Sequence, residues 1–274
     1  MLRIFRLIFA VCIVLNFMLV TSVIHLFSTD VWRERKLLSK VLKAYNKWML
    51  VALGIKINIK GQVNNVQGKL IVCNHMSYLD VFMLAALYPT SYVTSVEMRD
   101  TPVLGWLCRL GSCVFVERRN KVNIQNEIKE ITQALQKNLT VTIFPEATST
   151  NGDEVIRFRK PLFNAALFAK ADVLPICINY RRLDGKEVNK ENRDDVCWYG
   201  DMSFGPHFLK YFRYSRFEVD IEFLPVIPFS ETRDLDTLVN MSHTAVKSAY
   251  DRFTPVVETP IGLSEIESVE PLNV

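Results

Sequence analysis

The run LIVCNHMSYLD, residues 70–80, combines a short apolar segment with a polar break and a helical restart. Four consecutive apolar residues bounded by polar ones are typical of a central strand that is covered on both faces of a sheet. Ser77 followed by Asp80 matches the spacing of a helix-capping box. The run therefore predicts a buried strand, a turn and a helix over 77–87, which is a unit of an α/β domain.

His75 follows this strand directly, where open α/β sheets place their ligands. In a continuous helix, five residues turn through about 140°, so positions 75 and 80 would point apart. A turn before the helix removes this objection and lets the Asp80 carboxylate reach a ring nitrogen of His75. An imidazole paired in this way is held in one tautomer and suits proton abstraction near neutral pH. A capped helix beside an ordinary loop histidine explains the same residues, so both interpretations stay open at this point.

Beyond Gly54, short apolar runs alternate with helix-length segments. These patterns predict strands over 55–60, 69–73, 91–96, 113–117, 140–144, 173–180 and 217–224, and helices over 77–87, 102–109, 121–137, 161–170 and 235–253. The alternating segment FEVDIEFL predicts a strand at a sheet edge, and the charged residues 184–201 predict a loop. The predicted fold class is α/β, with a mixed, largely parallel central sheet flanked by helices.

The residues before this domain predict a pair of membrane-anchoring helices. Residues 7–27 carry no formal charge and are long enough for a transmembrane helix. Basic residues flank both ends, so a segment that enters one leaflet and returns on the same face is the alternative to a crossing. In the next segment, one side of a helix is basic and comprises Lys36, Lys40, Lys43 and Lys47. The opposite arc is apolar and comprises Leu37, Leu38, Val41, Leu42, Tyr45, Trp48, Met49 and Leu53. This pattern favours a helix in an anionic membrane interface, and a helix packed on its own domain is the alternative.

The composition indicates one large domain with an appendage. The 274 residues are 49% hydrophobic, so the chain can bury a sizeable core. We expect the anchoring helices over 1–54, the α/β domain over 55–254 and a mobile tail over 255–274. The net charge is only +4 and no basic stripe is interleaved with aromatic residues, so we expect no nucleic-acid partner. The six cysteines lack the spacing of zinc ligands, so we expect no metal.

Other polar residues also follow predicted strands. Glu146 comes after the apolar strand of TVTIFPE and is expected at the same sheet edge as His75. Arg118 and Arg119 end the segment CVFVERR, and guanidinium groups suit phosphate or carboxylate recognition. The segment RFRK, residues 157–160, adds further positive charge. Each of these residues, taken alone, is equally well explained as a solvated loop residue.

The order and spacing of these blocks resemble the glycerolipid acyltransferase family, of which 1-acyl-glycerol-3-phosphate acyltransferase is the best-known member. Its block N-H-x-S-x-x-D is matched by Asn74, His75, Ser77 and Asp80. Its block G-x-x-F-I-x-R is matched by Phe115 and Arg118, with Val116 in place of isoleucine and with Gly111 one residue further upstream than the motif has its glycine. Its block F-P-E-G-T-R-S is matched by Phe144, Pro145, Glu146 and Thr148. Here Ala147 replaces the usual glycine and Ser149 the common arginine. A hydrophobic strand around a proline, residues 173–178, completes the resemblance.

A second resemblance is less specific. The segments EATSTNG, FRKPLF and WYGDMSFGPH are similar to a bacterial branch that includes lyso-ornithine lipid acyltransferases. The serine at position 149 removes one phosphate contact that the family motif supplies. Arg157, Arg159 or Lys160 are the candidates to replace it.

The resemblance implies transfer of a fatty acyl group from a thioester to a lysolipid hydroxyl. The expected acceptor is 1-acyl-sn-glycerol-3-phosphate, giving phosphatidate; a lyso-ornithine lipid is one alternative, and a membrane lipid hydrolase or thioesterase using the same His/Asp pair is another. His75 would act as the base and Asp80 would orient it. The expected substrate-binding residues are Asn74, Ser77, Arg118, Glu146, Thr148 and Lys160.

The resemblance also sets expectations about partners and location. No cofactor is expected, because acyl-CoA or acyl-acyl carrier protein serves as a co-substrate. Membrane lipids are the expected partners. The expected location is the bacterial inner membrane, with the catalytic domain on the cytoplasmic side.

Overall fold

The computed structural model describes residues 2–61, 65–100, 104–116 and 121–253. Arg118 and the predicted tail over 255–274 lie outside these residues. The described strands are β1 (Ile55–Lys60), β2 (Leu70–Cys73), β3 (Ser91–Ser95), β4 (Val114–Val116), β5 (Val141–Ile143), β6 (Val173–Leu183), β7 (Lys186–Glu187) and β8 (Phe217–Phe223). The described helices are α1 (Leu2–Phe27), α2 (Val31–Leu53), α3 (Leu79–Leu87), α4 (Val96–Arg99), α5 (Leu104–Leu110), α6 (Lys121–Gln136), α7 (Asn164–Ala169), α8 (Phe204–Tyr211) and α9 (Leu235–Asp251).

The strands form one mixed sheet in the order β1-β8-β6-β2-β5-β3-β4, with β7 paired to β6. β6 runs antiparallel to β7 and β8, and the other strand pairs along this path are parallel. β2 lies between β5 and β6, and all four of its residues are buried, as its continuous apolar run predicts. The predicted α/β class with a largely parallel sheet is confirmed. The loop after β2 therefore stands at the centre of the sheet edge.

The prediction that FEVDIEFL forms an edge strand is wrong. β8 lies between β1 and β6, because β1 pairs with it in parallel, with Ile55 opposite Phe217. The alternating acidic residues of β8 are held by cations from neighbouring elements. Their ion pairs are Lys60 with Asp220 at 2.9 Å, Arg252 with Glu222 at 2.7 Å and Arg216 with Glu218 at 2.9 Å. A strand with one polar face can therefore be an interior strand of a sheet when side chains of opposite charge cover that face.

The charged segment 184–201 is more ordered than the predicted loop. It contains β7 and a short 3₁₀ helix at Arg193–Asp195, and it leads into α8, which the sequence did not predict. Val196 and Cys197 are buried in the core. The segment is ordered because these two apolar residues pack in the core of the domain. The polar composition of the segment does not predict this packing.

α1 and α2 pack against each other, and α2 also packs against α3. α1 is long and apolar enough to cross a membrane by length and composition, and its buried residues follow a helical spacing that faces the rest of the chain. Leu38, Met49 and Leu53 of the predicted apolar arc of α2 are buried in the protein. The arc therefore packs mainly on the chain itself, which was the alternative interpretation, while Leu37 and Trp48 remain exposed.

The boundary between α2 and the sheet is a helix C-cap. Gly54 has φ = +71°, and its backbone N–H bonds to Leu50 and Val51 carbonyl oxygens. A Cβ at this position would lie 2.3 Å from the Ser215 carbonyl oxygen, so both the backbone angle and the space require glycine. The predicted division of the chain into domains at this residue stays a prediction.

Candidate active site

The turn between β2 and α3 is organised around the buried carboxylate of Asp80. One oxygen, Oδ2, accepts hydrogen bonds from Nδ1 of His75 at 2.9 Å, from the backbone N–H of Met76 at 2.8 Å and from that of Ser77 at 2.9 Å. The other, Oδ1, accepts one from the hydroxyl of Tyr180 at 2.6 Å. Asp80 is 0% exposed. The four donors hold the turn around the carboxylate and place the imidazole of His75 against it.

The helix start differs in detail from the prediction. α3 begins at Leu79, with Tyr78 as its N-cap in αR conformation, and not at Ser77. Asp80 bonds back to the N–H of Ser77, as the acidic residue of a capping box does. The capping contact and the His75 contact use the same carboxylate oxygen. The two interpretations of the sequence are therefore compatible.

His75 presents its second ring nitrogen to the outside of this turn. Its ring stacks on Phe144, with centroids 4.0 Å apart and planes at 17°. Since Nδ1 donates to Asp80, the neutral ring carries its lone pair on Nε2, which has no hydrogen-bond partner among the described residues. The side chain is 19% exposed. The imidazole is therefore fixed on one side and available to accept a proton on the other.

Glu146 supports the same turn from β5. Its Oε2 accepts the backbone N–H of His75 at 2.9 Å, and its Oε1 accepts that of Ile156 at 3.1 Å. Glu146 is 2% exposed. Burial raises the pKa of this carboxyl to about 8, although the two backbone N–H groups oppose the shift. Glu146 therefore ties the turn between β2 and α3 to the segment around Ile156.

The turn that carries Glu146 contains a strained residue. The N–H of Ala147 donates to the carbonyl of Phe144 at 3.0 Å, which closes a turn with Pro145 at its second position. Ala147 has φ = +62°. This left-handed conformation favours glycine, the residue that the family motif has here. The substitution of alanine therefore places strain beside Glu146.

A basic groove begins at Glu146. It has a volume of about 700 Å³ and is lined by Glu146, Ile156, Arg157, Phe158, Arg159, Lys160 and Pro161. Arg157 and Arg159 are exposed. The ammonium of Lys160 lies 2.6 Å from a carboxylate oxygen of Asp236. Two exposed guanidinium groups in a groove that begins at Glu146 are suited to an anionic group.

The structure brings together His75, Asp80 and Glu146, with Lys160 in the adjoining groove. Two other predicted ligands face the protein interior. The Asn74 amide donates to the carbonyl of Ile178 and accepts its N–H, both at 2.9 Å, and so joins β2 to β6. The Ser77 hydroxyl lies 3.1 Å from that of Tyr211. Both residues are buried, and their assignment as substrate ligands stays a prediction.

Two further predicted ligands stand apart from this cluster. Thr148 is exposed on the turn after Glu146, and its hydroxyl donates to the carbonyl of Ser149 at 3.3 Å. Arg118 lies outside the described residues. In the part of the chain that is described, no group of three or more His, Cys, Asp and Glu side chains is arranged to hold a metal.

Sequence reasoning missed several residues that support the turn. Tyr180 was seen only as the end of a hydrophobic strand, yet its hydroxyl reaches Asp80 from 100 positions away. Burial raises the pKa of Tyr180 well above its usual value, so the phenol remains a hydrogen donor. The N–H of Trp198, in the charged insertion, donates to the carbonyl of Met76 at 2.8 Å. The only local signal for Tyr180 was its hydroxyl group at the end of the apolar strand predicted over 173–180.

Comparison with known proteins finds similarity to acyltransferases. A profile of the acyltransferase family matches residues 54–179. A lyso-ornithine lipid O-acyltransferase of Brucella abortus is 31% identical over 187 residues, which cover 65% of this chain and 70% of the relative. A 1-acyl-sn-glycerol-3-phosphate acyltransferase of Neisseria gonorrhoeae is 25% identical over 211 residues, which cover 77% of this chain and 80% of the relative.

A solved structure shares the fold. The crystal structure of the 1-acyl-sn-glycerophosphate acyltransferase of Thermotoga maritima superposes with a TM-score of 0.61 over 90% of this chain and 97% of the other, at 17% identity. At this identity the likeness concerns the fold alone. The family assignment rests on the relatives and on the profile, whose matched residues 54–179 include the turn that joins His75 to Asp80. This chain belongs to the acyltransferase family.

Proposed function

We propose that this protein transfers a fatty acyl group from an acyl thioester to the free hydroxyl of 1-acyl-sn-glycerol-3-phosphate, giving phosphatidate. The observation that carries the proposal is the His75–Asp80 pair, whose turn is joined through Glu146 to a basic groove. A base next to an anion site is what acylation of a phosphate-bearing alcohol requires. The proposal also fits the relative from Neisseria gonorrhoeae.

His75 acts as the general base. Its Nε2 takes the proton of the acceptor hydroxyl while the oxygen forms a bond to the thioester carbonyl carbon, and the carbonyl becomes a tetrahedral oxyanion. When the oxyanion collapses, the carbon–sulfur bond breaks and the imidazolium returns the proton to the leaving thiolate. A thioester is already activated, so the reaction needs no covalent enzyme nucleophile. General-base action of this kind is worth about 10²- to 10⁴-fold in rate.

Asp80 positions the base and stabilises its charged form. Its carboxylate accepts the Nδ1 hydrogen, which keeps the lone pair on Nε2. The same carboxylate is held by Tyr180 and by two backbone N–H groups, so it cannot rotate away from the ring without breaking these bonds. The pair is therefore preorganised before substrate enters.

The basic groove receives the acceptor's phosphate. Arg157 and Arg159 supply the positive charge that the family motif places at position 149, where this chain has serine. Arg118 is proposed as a further ligand on the strength of the family motif. Glu146 sits at the mouth of the groove and holds the catalytic turn, and we assign it to positioning the acceptor's polar part near His75.

The donor and the location belong to the same proposal. The acyl donor is acyl-CoA or acyl-acyl carrier protein, acting as a co-substrate. The apolar helix α1 attaches the enzyme to the membrane that holds its lipid acceptor. The proposed membrane is the bacterial inner membrane, with the catalytic domain on its cytoplasmic side.

A lyso-ornithine lipid is a second candidate acceptor. Two observations favour it: the relative from Brucella abortus, and the loss of a phosphate-binding arginine at position 149. The groove arginines suit the carboxylate of an ornithine head as well as a phosphate. The hydroxyl to be acylated differs, but the chemistry of His75 is the same.

An acyl-transfer assay with a panel of acceptors tests the proposal. Full-length protein in neutral detergent is incubated with radiolabelled acyl-CoA or acyl-acyl carrier protein and with each lysolipid. We expect acylation of 1-acyl-sn-glycerol-3-phosphate and a loss of about 10²- to 10⁴-fold in His75→Ala. His25→Ala, which changes an exposed histidine on α1, is the matched control.

Three results would contradict the proposal in different ways. Acylation of lyso-ornithine lipid alone would replace the acceptor. Release of free fatty acid without acylated lipid would indicate a hydrolase or thioesterase. Full turnover in His75→Ala would remove this residue as the base.

A further inference from the structure

The helix α5 ends in a Schellman motif that contains two cysteines. The N–H of Cys113 donates to the carbonyl of Cys108 at 3.0 Å, and the N–H of Ser112 donates to the carbonyl of Arg109 at 3.0 Å. Ser112 has φ = +63°, the left-handed conformation that is typical of this motif. The side chains at the positions of Cys108 and Cys113 frequently contact each other in such a motif. The backbone therefore brings two thiols to the same side of the turn.

The two thiols interact directly. A hydrogen bond with Cys113 lowers the pKa of Cys108, and desolvation by burial opposes this shift. The same hydrogen bond, and then burial, raise the pKa of Cys113 well above its usual value. Cys108 is therefore the thiol that ionises first, and Cys113 supplies the hydrogen that stabilises its thiolate.

This pair differs from three other cysteines of the chain. Those three are buried, and burial raises the pKa of their thiols: Cys73, Cys177 and Cys197. Cys108 and Cys113, by contrast, are partly exposed. A partly exposed thiol that ionises readily, with a second thiol beside it, is the arrangement found at reversible redox sites.

We propose that Cys108 and Cys113 form a modification site that hydrogen peroxide oxidises to a reversible disulfide. The thiolate of Cys108 attacks one peroxide oxygen, so a sulfur–oxygen bond forms, the oxygen–oxygen bond breaks, and the leaving hydroxide takes up the proton that the thiol released. Cys113 then loses its proton and its sulfur attacks the sulfur of Cys108. The sulfur–sulfur bond forms, the sulfur–oxygen bond breaks, and the second hydroxide leaves with that proton as water. Two thiols and one peroxide thus give one disulfide and two water molecules.

The second thiol makes the modification reversible. A sulfenic acid without a neighbouring thiol is oxidised further to a sulfinic acid, which ordinary thiols do not reduce. In this pair the disulfide forms first, and thiol–disulfide exchange restores both cysteines. Transient disulfides of this kind are the ones that proteins form in reducing compartments. The site therefore records exposure to peroxide without permanent damage.

Peroxide treatment followed by mass spectrometry tests this site. Reduced full-length protein in neutral detergent is treated with hydrogen peroxide, and the remaining thiols are alkylated with N-ethylmaleimide after denaturation. Trypsin cuts after Arg109, so the disulfide is detected as a bond between two tryptic peptides. We expect this linked pair to appear, labelling of both cysteines to be lost, and dithiothreitol to restore the labelling. Cys12→Ser, at an exposed cysteine on α1, is the matched control and should form the disulfide as wild type does.

Single variants separate the roles of the two thiols. In Cys113→Ser, peroxide should carry Cys108 to a sulfinic acid that dithiothreitol does not reverse. In Cys108→Ser, Cys113 should keep its labelling under the same treatment, because its raised pKa leaves little thiolate.

Three outcomes would overturn the inference. One is the absence of the linked peptides from wild-type protein after peroxide treatment. Another is oxidation of Cys12 at peroxide concentrations that leave the pair reduced, which would mean that exposure alone decides reactivity. The third is equal loss of Cys113 labelling in wild type and in Cys108→Ser. All of these readouts are masses and labels, so they stay distinct from failure of the proposed acyl transfer.

Discussion

Asp80 and Glu146 are both buried carboxyl groups beyond the ends of neighbouring strands, but they are held differently. Asp80 accepts bonds from a ring nitrogen, a phenol and two backbone N–H groups. Glu146 accepts two backbone N–H groups, and burial raises its pKa to about 8. At Glu146 the cost of burying the charged form outweighs the two hydrogen bonds and raises the pKa. In the proposed reaction the first carboxyl orients the base, whereas the second links the turn to the rest of the domain.

Among the residues that support His75, replacing Asp80 should have the largest effect on activity. Asp80→Asn keeps the shape but removes the charge that stabilises the imidazolium of His75. A hydrogen bond to a charged group is worth about 1.5–3 kcal/mol, so we expect kcat to fall about ten- to a hundredfold. Steady-state kinetics measure this, with Asp201→Asn at an exposed position as the control. A variant with wild-type kcat would mean that Asp80 only caps α3.

Replacing Glu146 should change stability in a pH-dependent way. Because the pKa of the folded carboxyl is raised from 4.5 to about 8, its stabilising contribution is fully present below about pH 4.5 and is lost as pH rises through 8. Glu146→Gln mimics the protonated form. We expect its free energy of unfolding, relative to wild type, to rise by a few kcal/mol between about pH 5 and pH 8 and then to level off.

Denaturant unfolding at several pH values measures this difference. Glu187→Gln, at an exposed glutamate on β7, should show a small and constant difference. A constant difference for Glu146→Gln as well would show that the two buried carboxyl groups are alike after all.

Replacing Tyr180 should have a smaller effect on the same dyad. Tyr180→Phe removes one of the four donors to Asp80 and leaves His75 and the backbone bonds in place. Loss of a single hydrogen bond is worth about 0.5–1.5 kcal/mol, so kcat should fall about two- to tenfold with KM unchanged. Tyr199→Phe, which breaks a tyrosine–carboxylate bond with Asp194 away from the turn, is the control. An equal loss in both variants would contradict a specific role.

The smallest expected effect concerns the strain beside Glu146. The left-handed conformation costs a non-glycine residue about 1–2 kcal/mol, and the greater freedom of unfolded glycine offsets about half of this. Ala147→Gly should therefore raise the unfolding free energy by about 0.5–1 kcal/mol. Ala166→Gly, within α7, should lower it by about 1 kcal/mol. Thermal unfolding compares the two, and destabilisation by Ala147→Gly would mean that the strain is not relieved.

Local patterns predicted much of this architecture. The bounds of β1 agree with the prediction, and β2 and α3 agree to within two residues. The bounds of these elements were predictable because the periodicity of apolar side chains is visible within a few residues. The edge position of β8 was predicted wrongly, because a strand's neighbours depend on residues far away in sequence. The order in 184–201 was missed because its two buried residues, Val196 and Cys197, lie among charged ones.

The turn between β2 and α3 separates what the local sequence determines from what only the tertiary structure decides. The residues 70–80 were enough to predict the strand and the turn, because capping and strand geometry act over a few residues. They left the pairing of His75 with Asp80 as one of two interpretations. Only the tertiary structure decided that Tyr180 and Glu146 support this pairing and that Asn74 faces β6. Those contacts join strands that are distant along the chain, and sheet order, not local pattern, makes them neighbours.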